Sequence, residues 1–236
     1  MAAGATLVVA SLLLRDALPA PTALLPDLRR EPVQVQTQAA PFEARAGGVT
    51  YTVKPVADYE IWGLVVSRHD SDTWWDWIHK ASNDHLNVVD LCVVFAENVE
   101  RGGYVGLRYS SGQFVCNVET SSLDTWQRFS MRAISNNHLL ADRSTIVSRL
   151  RGVRIGDQVR IRGSLAEYTH NHGFAFKRGT SLTRDDTGNG ACETVYVQEV
   201  EVLRAGGAPW RWLLWPAIAL ALTGVVVWLR TPFRAS

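Results

Sequence analysis

Two histidines of the chain follow nearly the same four-residue pattern. The pentapeptides SNDHL at 82–86 and SNNHL at 135–139 place His85 and His138 next to amide and carboxylate side chains. Imidazole gains and loses a proton near neutral pH, and it acts as a general acid or base when its proton partner lies within hydrogen-bond reach. One hypothesis is therefore a hydrolase-type acid/base enzyme that uses His85 and His138 with Asp84 or Asp185.

The same pentapeptides also have a purely structural interpretation. Ser-Asn-Asp and Ser-Asn-Asn are typical of turns and caps, because their short side chains bond the local backbone. A turn requires neither the histidine nor the leucine, so we expect Leu86 and Leu139 to point into the core and to fix each loop. His85 and His138 would then brace the fold through hydrogen bonds to backbone or carboxylate groups. Both interpretations stay open.

The sequence lacks the strong motifs for metals and nucleotides. The stretch TRDDTGNG at 183–190 has acidic and amide oxygens around glycine turns, but it lacks the ligand spacing of an EF-hand. His170 and His172 could point the same way on a strand, with no third ligand near them in sequence. A Walker loop, a G-x-S-x-G elbow, an H-E-x-x-H pair and a Rossmann fingerprint are all missing. We therefore predict no metal and no cofactor.

A dense group of arginines and a tryptophan cluster are the candidates for binding. The arginines could bind phosphate, lipid headgroups or single-stranded nucleic acid. Alternatively, they form a solvated face of the domain that binds no ligand. Leaving out residues 1–31 and 211–236 removes six arginines and three acids, so 18 basic and 20 acidic residues remain, a net charge of −2. That balance argues against a nucleic-acid partner. The candidate binding residues are Arg151, Arg154, Arg160, Arg162, Trp74 and Trp75.

The elements that must position these residues are mostly strands. In VRIGDQVRIRGSLAEYT at 153–169, a Gly-Asp turn leads into apolar residues at every second position, which predicts a half-buried, curled strand. Alternation predicts another strand at 194–203, and helical spacing predicts helices at 123–133 and 145–151. The predicted fold class is α+β, mainly β: a small curled antiparallel, OB-like barrel or sheet with two short helices, plus a C-terminal transmembrane helix.

The apolar segments predict how the chain is organised around this domain. The segment from Trp212 to Leu229 has no charge, and tryptophans and arginines flank it, as is typical of a transmembrane helix. The expected divisions are a signal-like or marginal hydrophobic segment at 1–20, a linker at 21–47, a β-rich domain at 48–205 and the membrane helix at 210–230. Arginines on the two sides of this helix balance, so they do not decide its orientation.

Three cysteines are too few for a disulfide scaffold, and their spacing does not suit zinc. Cys92 lies in the apolar run VVDLCVVF, so we expect a buried, free thiol. Cys116 and Cys192 are flanked by polar residues and could pair in an oxidising compartment. With the signal-like start, this favours a β domain outside the cytoplasm.

Five segments together resemble a family of bacterial envelope proteins without an assigned activity. They are SNDHLNVVDLCV, FVCNVET, ISNNHLL, GDQVRIRGSLAEY and TSLTRDDTGNGACETVYV. The resemblance covers about residues 59–203 and implies an envelope location. Separately, the G-D-x-V strand is similar to those of OB-type barrels.

The sequence therefore supports three hypotheses about function. The first is a non-enzymatic binding or assembly module that is anchored in the membrane, lies outside the cytoplasm and has a protein partner in the envelope. The second is the acid/base enzyme described above. The third is an OB-like binder of single-stranded nucleic acid, which the charge of the domain disfavours.

Overall fold

The computed structural model describes residues 2–183 and 192–231 of the chain. The strands are β1 (Val33–Gln36), β2 (Phe42–Ala46), β3 (Val49–Asp70), β4 (Asn87–Val94), β5 (Arg108–Gly112), β6 (Val115–Glu119), β7 (Ile134–Leu140), β8 (Gln158–His170), β9 (Phe176–Arg178) and β10 (Glu193–Arg204). The α-helices are α1 (Ala2–Leu14), α2 (Ile78–Ala81), α3 (Ala96–Glu100), α4 (Leu123–Arg128), α5 (Ser144–Gly152) and α6 (Ala208–Arg230).

Five strands close into a barrel. β3 pairs with β4 and β8, β4 pairs with β7, β7 pairs with β10, and β10 pairs with β8. Four of these pairings are antiparallel, but β7 and β10 run parallel, so the sheet is mixed rather than antiparallel throughout. The α+β, mainly β fold with a curled sheet is confirmed. Closure removes the edges of the sheet, which would otherwise expose unpaired backbone groups.

The two long strands show why the sheet can curl. β3 buries every second residue over its first half, as expected for a strand with one face on the core. Its register with β8 shifts between Pro55 and Ala57, which bends the pair. On β8, Gly163 lies so close to β10 that a Cβ atom would overlap the carbonyl oxygen of Tyr196. The barrel interior is filled by apolar side chains of these strands, including Ile61, Leu91, Val159, Ile161, Leu165 and Val197.

The helices differ in length from the expectation. α5 matches the helix predicted at 145–151, and it packs Ile146 and Leu150 on the barrel core. The helix predicted at 123–133 ends earlier: α4 is capped by Ser122, whose Oγ accepts from the backbone N–H of Thr125 at 3.2 Å. The backbone becomes extended at Phe129, because the Phe129 ring packs in a second apolar cluster under the hairpin β5–β6.

The segment expected to be a linker, 21–47, contributes to the fold. β1 and β2 both pair with β3, with Val33 opposite Glu60 and Phe42 opposite Val53. Leu28 is fully buried in the second cluster. Pairing with β3 gives this Pro- and Ala-rich segment its order, because β2 forms a hairpin with the start of β3 and β1 pairs with the middle of the same strand.

α6 is long and apolar enough to cross a membrane. Within the 22 residues from Pro209 to Arg230, a window of 18 residues has a mean hydropathy of 2.0 and is mostly exposed. At about 1.5 Å per residue the whole helix spans about 34 Å, compared with about 30 Å for the hydrocarbon core. α1 packs antiparallel against it: a Cβ on Gly4 would lie 2.7 Å from the backbone nitrogen of Ala221, and the carbonyl of Arg15 lies against Gly207. Small residues of this kind let two helices approach closely in a membrane.

The disulfide differs from the expected pairing. Cys92 bonds Cys116, with a Cα–Cα distance of 6.0 Å, and Cys192 is the free cysteine. Cys92 is buried as expected, but the hairpin β5–β6 folds over β4 and brings Cys116 into the same apolar cluster. The predicted Cys116–Cys192 pair is therefore wrong, because the hairpin position follows from tertiary packing.

Candidate active site

A buried aspartate and a buried histidine face each other on neighbouring strands. Antiparallel pairing of β4 with β7 places Asp90 opposite His138. The Nδ1–H of His138 donates to Oδ1 of Asp90 at 2.7 Å. Asp90 is fully buried and His138 is 3% exposed. Aspartate is almost never fully buried unless it is paired, and here the imidazole is its partner.

Cys192 extends this pair into a line of three chemical groups. It lies just before β10, which runs parallel to β7 with Thr194 beside His138. Cys192 contributes to the raised pKa of His138, so its side chain lies near the imidazole. The thiol donates to the carbonyl oxygen of Phe114 at 3.8 Å and accepts from Nδ2 of Asn136 at 3.5 Å. Cys192 is partly exposed. Thiol, imidazole and carboxylate in this order are the arrangement that activates a cysteine nucleophile.

The charges of the three groups support one another. Burial lowers the pKa of His138, but the charge and hydrogen bond of Asp90, together with Cys192, outweigh it and raise that pKa to about 9. Burial likewise raises the pKa of the Asp90 carboxyl, and the opposing effects of His138 and Asn87 bring it below its usual value. At neutral pH the pair is therefore an imidazolium beside a carboxylate.

Asn87 fixes the orientation of Asp90. Its Nδ2 donates to Oδ1 of Asp90 at 2.8 Å and to Nε2 of His79 at 2.9 Å. The amide cannot be reversed, because its oxygen would then lie against the carboxylate. His79 must consequently accept at Nε2 and carry its proton on Nδ1.

A second buried cluster continues from His79. Both the Nδ1–H of His79 and the Nε2–H of His69 donate to Oδ2 of Asp76, at 2.5 and 2.6 Å. Burial raises the pKa of the Asp76 carboxyl, and the hydrogen bonds from His69 and His79 reverse the effect, so the pKa lies below its usual value. A single buried carboxylate thus holds two imidazoles in place.

His69, Asp76 and His79 are also the kinds of ligand that a zinc ion takes, and their ligand atoms lie within 4.8 Å of one another. A metal on Nδ1 of His79 would require that nitrogen to be unprotonated and Nε2 to carry the proton. The donation from Asn87 to Nε2 opposes that tautomer. We therefore interpret the cluster as a hydrogen-bonded support and assign no metal to it.

Phe114 covers both histidine groups. It lies at the tip of the β5–β6 hairpin with a φ of 66°, a left-handed backbone conformation that is uncommon outside glycine. Its ring packs on His79, with ring centroids 4.1 Å apart, and on His138, at 5.4 Å. Its carbonyl accepts from Nδ2 of Asn136 at 3.2 Å and lies 3.8 Å from the Cys192 sulfur. Strained backbone of this kind is frequent at functional sites.

The structure separates the histidines of the two SNxHL motifs. His138 lies in β7, in the middle of a strand rather than in a turn, and joins Asp90 and Cys192. His85 is exposed and packs against Gly47, and its backbone N–H donates to the hydroxyl of Tyr51 at 2.9 Å. Leu86 and Leu139 are both fully buried, as predicted.

Of the two carboxylates proposed for the acid/base enzyme, the structure describes only Asp84, which lies apart from Asp90 and Cys192. Asp84 is buried and accepts from the Tyr168 hydroxyl at 2.6 Å, and its burial raises the pKa of the carboxyl. Asp185 lies outside the described residues. Of the predicted catalytic residues that the structure describes, only His138 belongs to the site.

Sequence reasoning missed three members of the site. The sequence predicts a disulfide for Cys192, places Asp90 in an apolar run and gives no role to Asn87. A signal was present, because an aspartate in the middle of the run VVDLCVVF must find a buried partner. Which partner it finds depends on the pairing of β4 with β7, which no local pattern specifies.

The candidate binding residues form two groups rather than one patch. Arg160 donates to Glu60 at 2.5 Å and lies 3.6 Å from Glu199, so its charge is neutralised along the barrel wall. Arg162 is exposed on the same strand. Arg151, Arg154, Trp74 and Trp75 lie around the loop that follows β3 and the end of α5.

Comparison of the chain with models of protein families, with curated proteins and with solved structures finds no match. The resemblance to bacterial envelope proteins stays a prediction. Arguments about function therefore rest on the geometry of the site.

Proposed function

We propose that the chain is a membrane-anchored thiol enzyme that acts on an activated acyl group, such as an ester, a thioester or an amide. Cys192 is the nucleophile, His138 moves the proton, and Asp90 holds and charges the imidazole. One observation carries the proposal: His138 bonds Asp90 between β7 and β4, and Cys192, just before the parallel strand β10, lies near the same imidazole.

The chemistry follows from the positions of the atoms. At neutral pH the imidazolium of His138 stabilises the Cys192 thiolate, which attacks the carbonyl carbon, so an S–C bond forms and the carbonyl oxygen becomes an oxyanion. The Nδ2 of Asn136, 3.5 Å from the sulfur, is a donor near the place where that charge develops. Collapse of this intermediate breaks the bond to the leaving group, which receives the proton of His138. The neutral imidazole then takes a proton from the water that hydrolyses the thioester, so the acid is released and the thiolate and the imidazolium are restored.

The location outside the cytoplasm is part of the same proposal. The Cys92–Cys116 disulfide supports it, because disulfides persist mainly in oxidising compartments. An unpaired cysteine beside such a disulfide is the kind of free, reactive thiol that deserves a functional explanation. α6 would hold the domain at the membrane surface.

A second candidate is the non-enzymatic binding or assembly module with a protein partner in the envelope. The burial of Asp90, His138 and the His69–Asp76–His79 cluster favours it, because a buried hydrogen-bonded network can specify the fold without taking part in any reaction. The two candidates differ in what they require of Cys192. An enzyme needs a reactive thiolate, whereas a module needs none.

The test measures the reactivity of Cys192 in the full chain in detergent micelles. Since Cys92 and Cys116 are bonded to each other, iodoacetamide without reductant reports on Cys192 alone. We expect wild type to be alkylated at least tenfold faster than His138→Gln and Asp90→Asn at neutral pH. p-Nitrophenyl acetate should leave an acetyl group on Cys192, detectable by mass spectrometry, in wild type and not in Cys192→Ala.

His85→Gln is the matched control, because it changes the histidine of the other SNxHL motif and should react as wild type does. Thermal melts of each variant separate a loss of reactivity from a loss of folding. Equal alkylation rates in folded wild type and folded His138→Gln would overturn the enzyme proposal and favour the binding module.

A further inference from the structure

Three tryptophans project into solvent from the loop between β3 and α2. Trp74 is 89% exposed, Trp77 is 67% exposed and Trp75 is 45% exposed. Trp75 also packs on the buried His69, with ring centroids 4.7 Å apart. Large aromatic side chains grouped in this way are uncommon on a free surface, and such patches typically mark an interaction site.

Hydrogen bonds to buried and neighbouring groups fix the conformation of the tryptophan loop. Asp76, between Trp75 and Trp77, is fully buried and carries the hydrogen bonds from His69 and His79. The Nζ of Lys80 donates to the carbonyl oxygens of Thr73 and Trp74, at 2.8 and 3.2 Å. The tryptophans are therefore presented on a pinned loop, so little conformational entropy is lost when they bind.

The same loop borders the point where α6 leaves the domain. Asp72 pairs with Arg151 at the end of α5 at 2.6 Å, and Arg154 bonds the carbonyl of Arg151. The backbone N–H of Arg154 and Nη1 of Arg211, in the first turns of α6, both donate to the carboxylate of Asp157, at 2.8 and 2.9 Å. Arg154 thus lies between the tryptophan loop and the base of the membrane helix.

α6 itself carries tryptophans at this end. Trp212 is 80% exposed and Trp215 is 74% exposed. Tryptophans are enriched where a membrane-spanning helix crosses the boundary between lipid and water. Ion pairs of Arg151 with Asp72 and of Arg211 with Asp157 connect the loop, the end of α5 and the first turns of α6 to the same end of the domain.

We propose that the tryptophan loop, residues 73–77, docks on the lipid surface of the membrane that α6 enters. Trp74 and Trp77 lie among the headgroups and glycerol groups, where an aromatic ring with one polar N–H is favoured. Arg151 and Arg154 face the phosphates of anionic lipids. This inference rests on the membrane anchoring in the proposed function and is independent of the chemistry of Cys192. It places the barrel against the membrane rather than at a distance from it.

The test uses the full chain labelled with 5-fluorotryptophan in nanodiscs whose lipids carry a gadolinium chelate on a fraction of the headgroups. Fluorine resonances are assigned with single Trp→Phe variants. We expect the Trp74 and Trp77 resonances to broaden as strongly as that of Trp212, and the resonance of Trp62, which is partly buried and lies beneath Arg30 and Arg160, to stay sharp.

A broadened Trp212 resonance together with sharp Trp74 and Trp77 resonances would overturn the docking proposal and would favour a protein partner for the loop. A sharp Trp212 would overturn the anchoring on which it rests as well. In nanodiscs with anionic lipid, Arg151→Gln should reduce the broadening of Trp74 at least twofold. Arg162→Gln, on the barrel wall, is the matched control and should leave the broadening unchanged.

Discussion

Arg211, in the first turns of α6, donates from Nη1 to Oδ1 of Asp157 at 2.9 Å. Asp157 belongs to the Gly-Asp turn that starts β8, and its carboxylate also accepts from the backbone N–H of Gly206 and of Arg154. Nε of Arg211 donates to the carbonyl of Arg15 at the end of α1. One arginine therefore joins the barrel and both apolar helices, and the anchor leaves the domain at a fixed place.

Replacing Arg211 should weaken the contact between the barrel and α6. Arg211→Ala leaves the nearly buried Asp157 without its charged donor, so we expect the free energy of unfolding to fall by about 1.5–3 kcal/mol. Chemical unfolding in micelles measures it. Arg162→Ala, an exposed arginine on β8, is the control, and an equal loss in both variants would contradict a specific role for Arg211.

Removing the disulfide should destabilise the hairpin β5–β6 and the domain with it. The bond closes a loop across a sequence separation of 24 residues, for which chain entropy predicts a loss of about 3.5 kcal/mol in Cys92→Ala/Cys116→Ala. Thermal melting without reductant measures this loss. Cys192→Ala is the control and should melt close to wild type. If peptide mapping found Cys192 bonded to Cys116 instead, the hairpin would have to pack differently.

The raised pKa of His138 predicts how stability depends on pH. Its pKa is about 9 in the folded chain and about 6.5 in an unfolded one, so its contribution is complete below about pH 6.5. That contribution is lost as the pH rises through 9. We expect wild type to lose stability between pH 6.5 and 9 and His138→Gln to show a flatter profile. Urea unfolding at a series of pH values checks this, and parallel profiles would contradict the pairing with Asp90.

The two motif histidines should differ when they are replaced. His138→Ala leaves Asp90 as a buried charge without its partner, which costs about 3 kcal/mol or more. His85→Ala removes an exposed side chain and should change the free energy of unfolding by less than about 0.5 kcal/mol. Melting temperatures of both variants measure the contrast. Equal losses would restore the interpretation in which both histidines brace loops.

Local patterns in the sequence determined several elements of this protein. The alternation that predicted strands at 158–168 and 194–203 corresponds to β8 and β10, and the uncharged segment at 212–229 lies within α6. These elements are predictable because the period of the side chains follows directly from backbone geometry and from which face meets the core or the lipid. Burial of Leu86 and Leu139 follows from the same reasoning.

Only the tertiary structure decided which chemical groups meet. Asp90, His138 and Cys192 are far apart in the chain, and they come together because β4 pairs with β7 in one register and β7 runs parallel to β10. Likewise, Cys116 reaches Cys92 rather than Cys192 because the hairpin β5–β6 folds over β4. A shift of one residue in any of these registers would turn the side chains to the opposite face. Local periodicity in the sequence specifies the strands. The site depends on long-range pairing between strands, and this pairing is defined only when the whole barrel closes.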